Sequence, residues 1–416
     1  MYPWVSRVIV VILDGVGIGA LPDADQYGDC GAHTLGHVAE QIGLEVPNLQ
    51  RLGLGNITPL PGIPPCDRPL AAFGKLAERS AGKDSTVGHW ELMGVVTERA
   101  YPTYPRGFPP EIIAEFTQRT GRGVIGNRPA SGTQIIEELY AEHRRTGAWI
   151  VYTSADSVFQ VAAHEEVIAP EELYAACEQA AKMLMERGLV LRVIARPFTG
   201  TAGSLRRTSG RRDYNLPPPG VTVLDRLAEA LCPTVTIGKV DAIFAGRNVT
   251  EAVHTHNNEE TVDALLFEVE LRQPGLVLAN LVDFDMTWGH RNDAAGFAAG
   301  LEAFDAALGR LLELLGPRDV LVLTADHGCD PTDESTDHTR EYVPVLVLGH
   351  AVKAGAAIGT RASFADLGAS ICDALGVALP SAGASFWGAI ARPADTGSTA
   401  FATQRMAWLR NRALAG

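Results

Sequence analysis

Asp319-Val-Leu-Val-Leu-Thr324-Ala-Asp326-His327-Gly-Cys-Asp-Pro331 is the stretch that decides how the chain is read. Its first six residues form an apolar, β-branched run, short enough for a buried strand rather than a helix. The strand ends on a carboxylate and an imidazole side by side. A further imidazole, His338, follows eleven residues later in Thr336-Asp337-His338-Thr339-Arg340-Glu341. In an open parallel sheet, ligands collect in the crevice at the carboxyl ends of the strands, so the position predicts a metal site.

Two other predicted strands end the same way. Val8 to Leu13 runs into Asp14-Gly-Val-Gly-Ile-Gly19. That loop lacks the Gly-x-Gly-x-x-Gly spacing of a dinucleotide site and opens on an acid that would repel a pyrophosphate, so Asp14 reads as a ligand and the glycines as a tight turn. Gly275 to Leu281 runs into Val282-Asp283-Phe-Asp285 and His290. Asp14, Asp285, His290, Asp326, His327 and His338 therefore supply three carboxylates and three imidazoles. Mixed nitrogen and oxygen donors suit Mn²⁺ or Zn²⁺, and six are too many for one open catalytic ion. Two ions about 3.5 to 4 Å apart, with three ligands each, would stabilise both the attacking and the leaving oxygen of a phosphoryl transfer.

Gly82-Lys-Asp-Ser-Thr-Val-Gly-His-Trp-Glu91 adds a hydroxyl. Ser85 and Thr86 precede a helix-like run, where free N–H groups and the helix dipole favour negative charge. A nucleophile and a plain helix cap both fit this stretch. His33 and His37, at i and i+4, share a helical face; without the Glu of His-Glu-x-x-His they read as structural or supporting groups. The tract from His254 to Glu259 reads as solvated.

The chain has 416 residues, 46% of them hydrophobic and 20% charged, which at about 150 residues per domain predicts two domains. A formal charge of −14 argues against a nucleic-acid partner, because neutralising phosphates needs clustered cations. The six cysteines are scattered without a close pair, as expected of reduced thiols in a cytoplasmic protein. The apolar run near Arg7 is cut short by Asp14, and nowhere do roughly 18 apolar residues run on, so no membrane span is expected.

The texture changes near Thr97. Prolines at 102, 105, 109 and 110 punctuate the chain, helix-like Glu111–Thr120 and Gln134–Thr146 follow, and Trp149–Thr153 and Leu189–Ala195 read as strands. Arg206, Arg207, Arg211 and Arg212 concentrate positive charge before Pro217-Pro-Pro-Gly220; they fit a solvated surface or phosphate recognition. The alternation then resumes with a strand at Val221–Leu224 and a helix at Asp225–Leu231, and the residues after Pro393 read as peripheral.

These motifs resemble the bacterial phosphopentomutases of the alkaline phosphatase superfamily. The likeness also runs through Asn127-Arg-Pro-Ala-Ser-Gly-Thr133, Val151-Tyr-Thr-Ser-Ala-Asp156, Val193-Ile-Ala-Arg-Pro-Phe198 and Asn280-Leu-Val-Asp-Phe-Asp285. It implies an α/β, alkaline-phosphatase-like core with a parallel-rich sheet flanked by helices, built from residues 1–97 and 220–416. A smaller α/β cap domain for substrate binding would be inserted at 98–219. It further implies an isomerase of nucleoside catabolism that interconverts ribose (or deoxyribose) 1-phosphate and 5-phosphate through a phosphorylated enzyme and a sugar bisphosphate. One Mn²⁺ would sit on Asp14, Asp326, His327 and the nucleophile's oxygen, the other on Asp285, His290 and His338. Asp283, Asp330, Asp333 and Asp337 would stand nearby. Ser154, Asp156, Arg192 and Arg207 match positions touching the sugar and its distal phosphate, and a ribose or glucose bisphosphate would be the activator. No obligate protein partner is implied. The family commonly has Thr where this chain has Ser85; by register Ser85 is the nucleophile and Thr86 its neighbour. A metal-dependent phosphatase or a phosphoglycerate mutase relative is the rival on the same core, and a silent phosphosugar-binding protein the rival outside catalysis.

Overall fold

The computed structural model describes residues 5–154 and 157–393. They fall into two compact units, one formed by residues 5–98, 218–241 and 246–393, the other by residues 99–217 and 242–245.

The first unit is built on an eight-stranded sheet. In spatial order its strands are Glu251–Val253, Thr234–Ile237, Gly275–Leu281, Arg7–Leu13, Asp319–Thr324, Val343–Gly349, Ala72–Leu76 and Ala357–Arg361. The first five run parallel, and Val343–Gly349 lies antiparallel between its neighbours. Every residue of the three central strands Gly275–Leu281, Arg7–Leu13 and Asp319–Thr324 is buried. That is why they read as continuous apolar runs instead of alternating ones: a parallel sheet is covered on both faces. Leu13 pairs with Leu281, and Ile12 with Thr324. This register delivers the residues that follow the three strands to one edge of the sheet.

At the opposite ends of the same strands, Arg7 is 1% exposed. Its Nε and Nη2 donate to the two Asp319 oxygens at 3.0 and 2.6 Å, and its Nη1 donates to the Glu268 carbonyl at 3.1 Å.

The second unit is a separate α/β layer structure. Its sheet runs Val124–Pro129, Trp149–Thr153, Val158–His164, Arg192–Thr199 and Arg206–Arg207, with Arg212–Asn215 also paired to Arg192–Thr199. Helices Pro110–Thr120 and Pro170–Met185 cover one face through Phe116, Leu173 and Cys177 against Trp149, Phe159 and Val161. Helix Gly132–Thr146 covers the other, packing Ile135, Ile136 and Tyr140 on Ile150, Tyr152 and Phe198.

Two expected strands differ. Val221–Leu224 is no strand: Val223 opens a helix, Val223–Glu229. Thr222 and Asp225 close a reciprocal capping box there, with Asp225 N donating to Thr222 Oγ1 at 3.2 Å and Thr222 N to Asp225 Oδ2 at 2.7 Å. A four-residue apolar run carries no periodicity, and the cap decides. The strand expected at 189–195 spans Arg192–Thr199. The six cysteines are free thiols, and no helix among the described residues is long and apolar enough to cross a membrane. The tail beyond Pro393 lies outside the described residues.

Asp319→Ala strips the buried Arg7 of its counter-charge, and unpairing a buried ion costs about 3–5 kcal/mol. Urea unfolding is expected to show that loss; a change under about 1 kcal/mol would mean water reaches Arg7.

Candidate metal centre

The sheet edge gathers its acids because the strands stop in register. Asp14 follows Arg7–Leu13 directly, and Asp326 follows Asp319–Thr324 by two residues. Asp285 rides on a π-helical turn, Phe284–Trp288, just past Gly275–Leu281; π-turns recur where a side chain is re-aimed at a functional site.

His327 Nε2 lies 3.3 Å from Asp14 Oδ1 and 3.3 Å from Asp326 Oδ2. Ser85 Oγ is 2.9 Å from the same nitrogen. Asp285 divides its oxygens, Oδ1 standing 3.2 Å from His338 Nε2 and Oδ2 3.3 Å from His290 Nε2. The His327 and His338 rings lie 3.9 Å apart between centroids, tilted by 32°, so the two halves adjoin. Three compact donor groups result: Asp14 with Asp326 and His327, Asp285 with His327 and His338, and Asp285 with His290 and Cys329. Asp285 thus reaches both His290 and His338, but no single compact group holds all three.

The residues pass a chemical test for metal. Asp14 Oδ1, Asp326 Oδ2, Asp285 Oδ1 and His338 Nε2 are buried and make no hydrogen bond. A buried, unsatisfied carboxylate oxygen is costly unless a cation or donor meets it. Several of the other lone pairs and protons are already engaged. Asp14 Oδ2 accepts from Asn280 Nδ2 at 2.8 Å, and Asp326 Oδ1 from Gly15 N at 3.1 Å. His290 Nδ1 donates to the Thr336 carbonyl at 2.7 Å and His327 Nδ1 to the Gly328 carbonyl at 3.0 Å, which turns each Nε2 inward.

The electrostatics follow from burial. Asp14 is pushed up to about 6, first by burial and then by Asp326. Burial also pushes Asp326 up, but His327 and His89 outweigh it and bring the carboxyl to about 2. Burial is likewise overcome at Asp285, which His338 and His290 hold well below the ordinary range. His290 is held up at about 9, chiefly by its bond to Asp285.

Ser85 is the first residue of helix Ser85–Leu92. The plain capping role falls to Asp84, whose Oδ1 accepts from Val87 N at 3.0 Å, so the Ser85 hydroxyl is not used as the cap. The helix is seated on the strand tip: a Cβ at Gly88 would stand 2.1 Å from the Asp326 carbonyl oxygen. One residue on, the Nδ1 of fully buried His89 lies 2.8 Å from the Ser85 carbonyl and 3.1 Å from Asp326 Oδ2.

The neighbouring acids face other donors. Asp283 accepts from Asn258 N and Thr287 Oγ1, Asp333 from Glu334 N, and Asp337 from His338 N. Asp330 accepts from Thr332 N and Oγ1 and from His33 N, and it lies 2.6 Å from His37 Nδ1. His33 and His37 stand side by side as expected, their ring centres 6.1 Å apart and both residues against Asp330 Oδ2, but His33 is the N-cap of helix Thr34–Gln41 and its Nδ1 accepts from Gly36 N. Sequence reading passed over His89, Asn280 and Cys329 as contributors. Only His89, four residues from Ser85 on one helix, carried a usable signal.

In the second unit, Ser154 follows strand Trp149–Thr153, and Asp156 lies outside the described residues. Arg192 is 3.7 Å from Asp213, which Arg211 grips at 2.6 Å through both Nε and Nη2. Arg207 Nη2 donates to the Tyr152 hydroxyl at 3.4 Å, while its Nε is buried without a partner.

The sequence pattern of the metalloenzyme superfamily matches residues 6–379. The chain is 52% identical to the phosphopentomutase of Caldanaerobacter subterraneus subsp. tengcongensis, covering 92% of this chain and 97% of that one. It is 53% identical to the phosphopentomutase of Clostridium novyi, covering 92% and 98%. Among solved structures, the PH0037 protein from Pyrococcus horikoshii is similar at 16% identity and a TM-score of 0.47, covering 89% and 97%. Near-complete coverage at about half identity, together with the site at the strand tips, makes the chain an isomerase that belongs to the phosphopentomutase family of the metalloenzyme superfamily.

Proposed function

We propose that the chain moves a phosphoryl group between O1 and O5 of ribose or deoxyribose through a phosphoserine at Ser85, with two Mn²⁺ ions in the site. The observation that carries this reading is the convergence of buried ligand atoms without hydrogen bonds beside the Ser85 hydroxyl. When bound, the ions would withdraw charge from the attacking and leaving oxygens. One set of ligands would be Asp14, Asp326, His327 and Ser85 Oγ, the other Asp285, His290 and His338.

The protein's own groups supply the rest. Ser85 at the first position of its helix faces incoming phosphate with N–H groups that lack intrahelical partners, at the positive end of the dipole. Gly88 and His89 hold that helix against Asp326, so the hydroxyl does not swing away from the strand tip. Phosphoserine would give its phosphate to the free hydroxyl of a pentose monophosphate, making a bisphosphate. The bisphosphate would return its other phosphate to Ser85 and leave as the isomer. A ribose or glucose bisphosphate would charge Ser85 at the start. In the second unit, a cap in this reading, Ser154 and Asp156 would take sugar hydroxyls, and Arg192 and Arg207 the phosphate that does not react. Arg207 forms no ion pair among the described residues, and guanidinium matches phosphate geometry.

The assay follows ribose 1-phosphate becoming ribose 5-phosphate with Mn²⁺ and a catalytic bisphosphate, beside inorganic phosphate release. Isomerisation well above release is expected; release without isomerisation would make the chain a phosphatase. Ser85→Ala is expected to abolish transfer and Thr86→Ala to keep most of it, and the reverse would move the nucleophile by one residue.

Metal removal gives a second test. Because Asp285 holds the His290 proton up to about 9, an ion entering at pH 7 must displace that proton, so Mn²⁺ affinity is expected to rise from pH 6.5 towards 9. Calorimetry showing a flat affinity over that window would remove His290 from the ligand set. Chelation is expected to lower Tm and Mn²⁺ to restore it. His338→Ala is expected to lose one ion first; equal loss of both would count against the division into two sets.

A further inference from the structure

Arg340 is a charged side chain at the centre of the first unit that the reaction described above leaves unused. It stands two residues after His338 and is 2% exposed. Its Nη1 donates to Glu78 Oε2 at 2.8 Å and to the Ser80 and Gly82 carbonyls at 2.8 and 2.7 Å. Its Nη2 donates to the Glu78 carbonyl and Asp23 Oδ2, both at 3.1 Å, and its Nε to Asp23 Oδ1 at 3.3 Å. The guanidinium lies over the Tyr27 ring, 4.8 Å from its centre, and the Tyr27 hydroxyl accepts from Gly82 N at 3.2 Å.

The segment gripped in this way, Glu78 to Gly82, leads directly into Ser85. Its other side is held by the Ser85–Leu92 helix itself: Arg79 N and Ser80 N donate to the fully buried Glu91 carboxylate, the nearest contact being 2.6 Å. Two of this loop's N–H groups, those of Arg79 and Ser80, thus belong to the helix, and three of its carbonyls to Arg340. Gly88 and His89 seat the helix one turn further in, but the path of the chain into its first residue is set by the loop. We infer that Arg340 is a positioning residue for phosphoryl transfer: it fixes the approach to Ser85 relative to the strand-tip ligands by holding the carbonyls of Glu78, Ser80 and Gly82. This inference rests on Ser85 as the nucleophile.

A guanidinium is suited to this task and an ammonium is not. Its planar fork offers five N–H donors in fixed directions, whereas lysine offers three from a single point. Lysine at 340 keeps the charge opposite Asp23 and Glu78 but cannot span three carbonyls and two carboxylates. A misplacement of about 1 Å at a reacting group lowers a rate by about 100-fold.

The test compares Arg340→Lys with Arg7→Lys, an equally buried arginine at the opposite ends of the same sheet's strands. Single-turnover phosphorylation of Ser85 by glucose bisphosphate with Mn²⁺ is measured, along with steady-state kcat and KM for ribose 1-phosphate, Mn²⁺ affinity and Tm. Arg340→Lys is expected to slow phosphorylation and kcat by about 100-fold, with KM and Mn²⁺ affinity within about threefold. Arg7→Lys is expected to lower Tm while leaving the transfer rate within about threefold. Transfer at the parent rate in Arg340→Lys overturns the inference, and so does an equal slowing in both variants, which would tie the loss to stability. Should Arg340→Lys not fold, Tyr27→Phe carries the test by removing only the hydroxyl beneath Gly82 N. A drop of about fivefold is expected there, and an unchanged rate overturns the inference. If the parent protein itself takes no phosphate on Ser85, the nucleophile reading has failed first, and that result is separate from any behaviour of the variants.

Discussion

Three carboxylates that repel one another, shut away from water at the ends of three hydrogen-bonded strands, are the constraint around which the first unit is arranged. Asp14, Asp285 and Asp326 cannot spread apart, because the strands that deliver them are paired along their length. Burial and mutual repulsion raise the energy of their charged forms, most visibly at Asp14. Such a cluster persists only with positive charge or strong donors beside it. Three imidazoles, Asn280 and the Gly15 amide meet part of that need and leave inward-facing oxygens unsatisfied. The stability of this end of the sheet and its capacity for divalent ions therefore have one origin.

The loop from Asp326 to Glu341 shows how such a site is braced. Adjacent residues near its end reach different loops: Arg340 holds the segment before Ser85, and Glu341 holds the turn after Asp14. The Glu341 carboxylate is 1% exposed and accepts from Gly19 N, Thr34 N, Thr34 Oγ1 and Thr339 Oγ1. A Cβ at Gly17 would stand 2.4 Å from its Oε2, and one at Gly328 would stand 2.5 Å from its Oε1. Gly17, in the turn after the first strand, lets that carboxylate approach the backbone. Had either residue been apolar, one of the two loops would have lost its anchor.

Much of this was legible in the sequence because buried parallel strands write themselves as apolar runs and because ligands must follow their tips. Asp14, Asp285, Asp326 and His327 could be found from that alone. His290 and His338 needed the further premise that imidazoles in the following loops fold back, which no local pattern states. Asn280 was hidden because it lies within the strand, where an amide looks like an imperfection in an apolar run. Arg340 was hidden because its partners at Asp23, Glu78 and Gly82 are more than 250 residues away; pairing at that distance leaves no local trace. The helix expected at Asp225–Leu231 is present, but its start at Val223 was misread for the opposite reason: a decisive local signal, the Thr222–Asp225 box, was outweighed by a short β-branched run.

The contact of Gly88 with the Asp326 carbonyl has a consequence for how position 85 can vary. The helix finds its depth by backbone meeting backbone, so the residue bearing the hydroxyl contributes little to where the helix rests. An alcohol with or without an added methyl can then occupy that position while the oxygen stays in place. Serine at position 85, against the threonine that the resemblance implies, is a substitution that the architecture absorbs. Tolerance at position 85 is secured by intolerance three residues away.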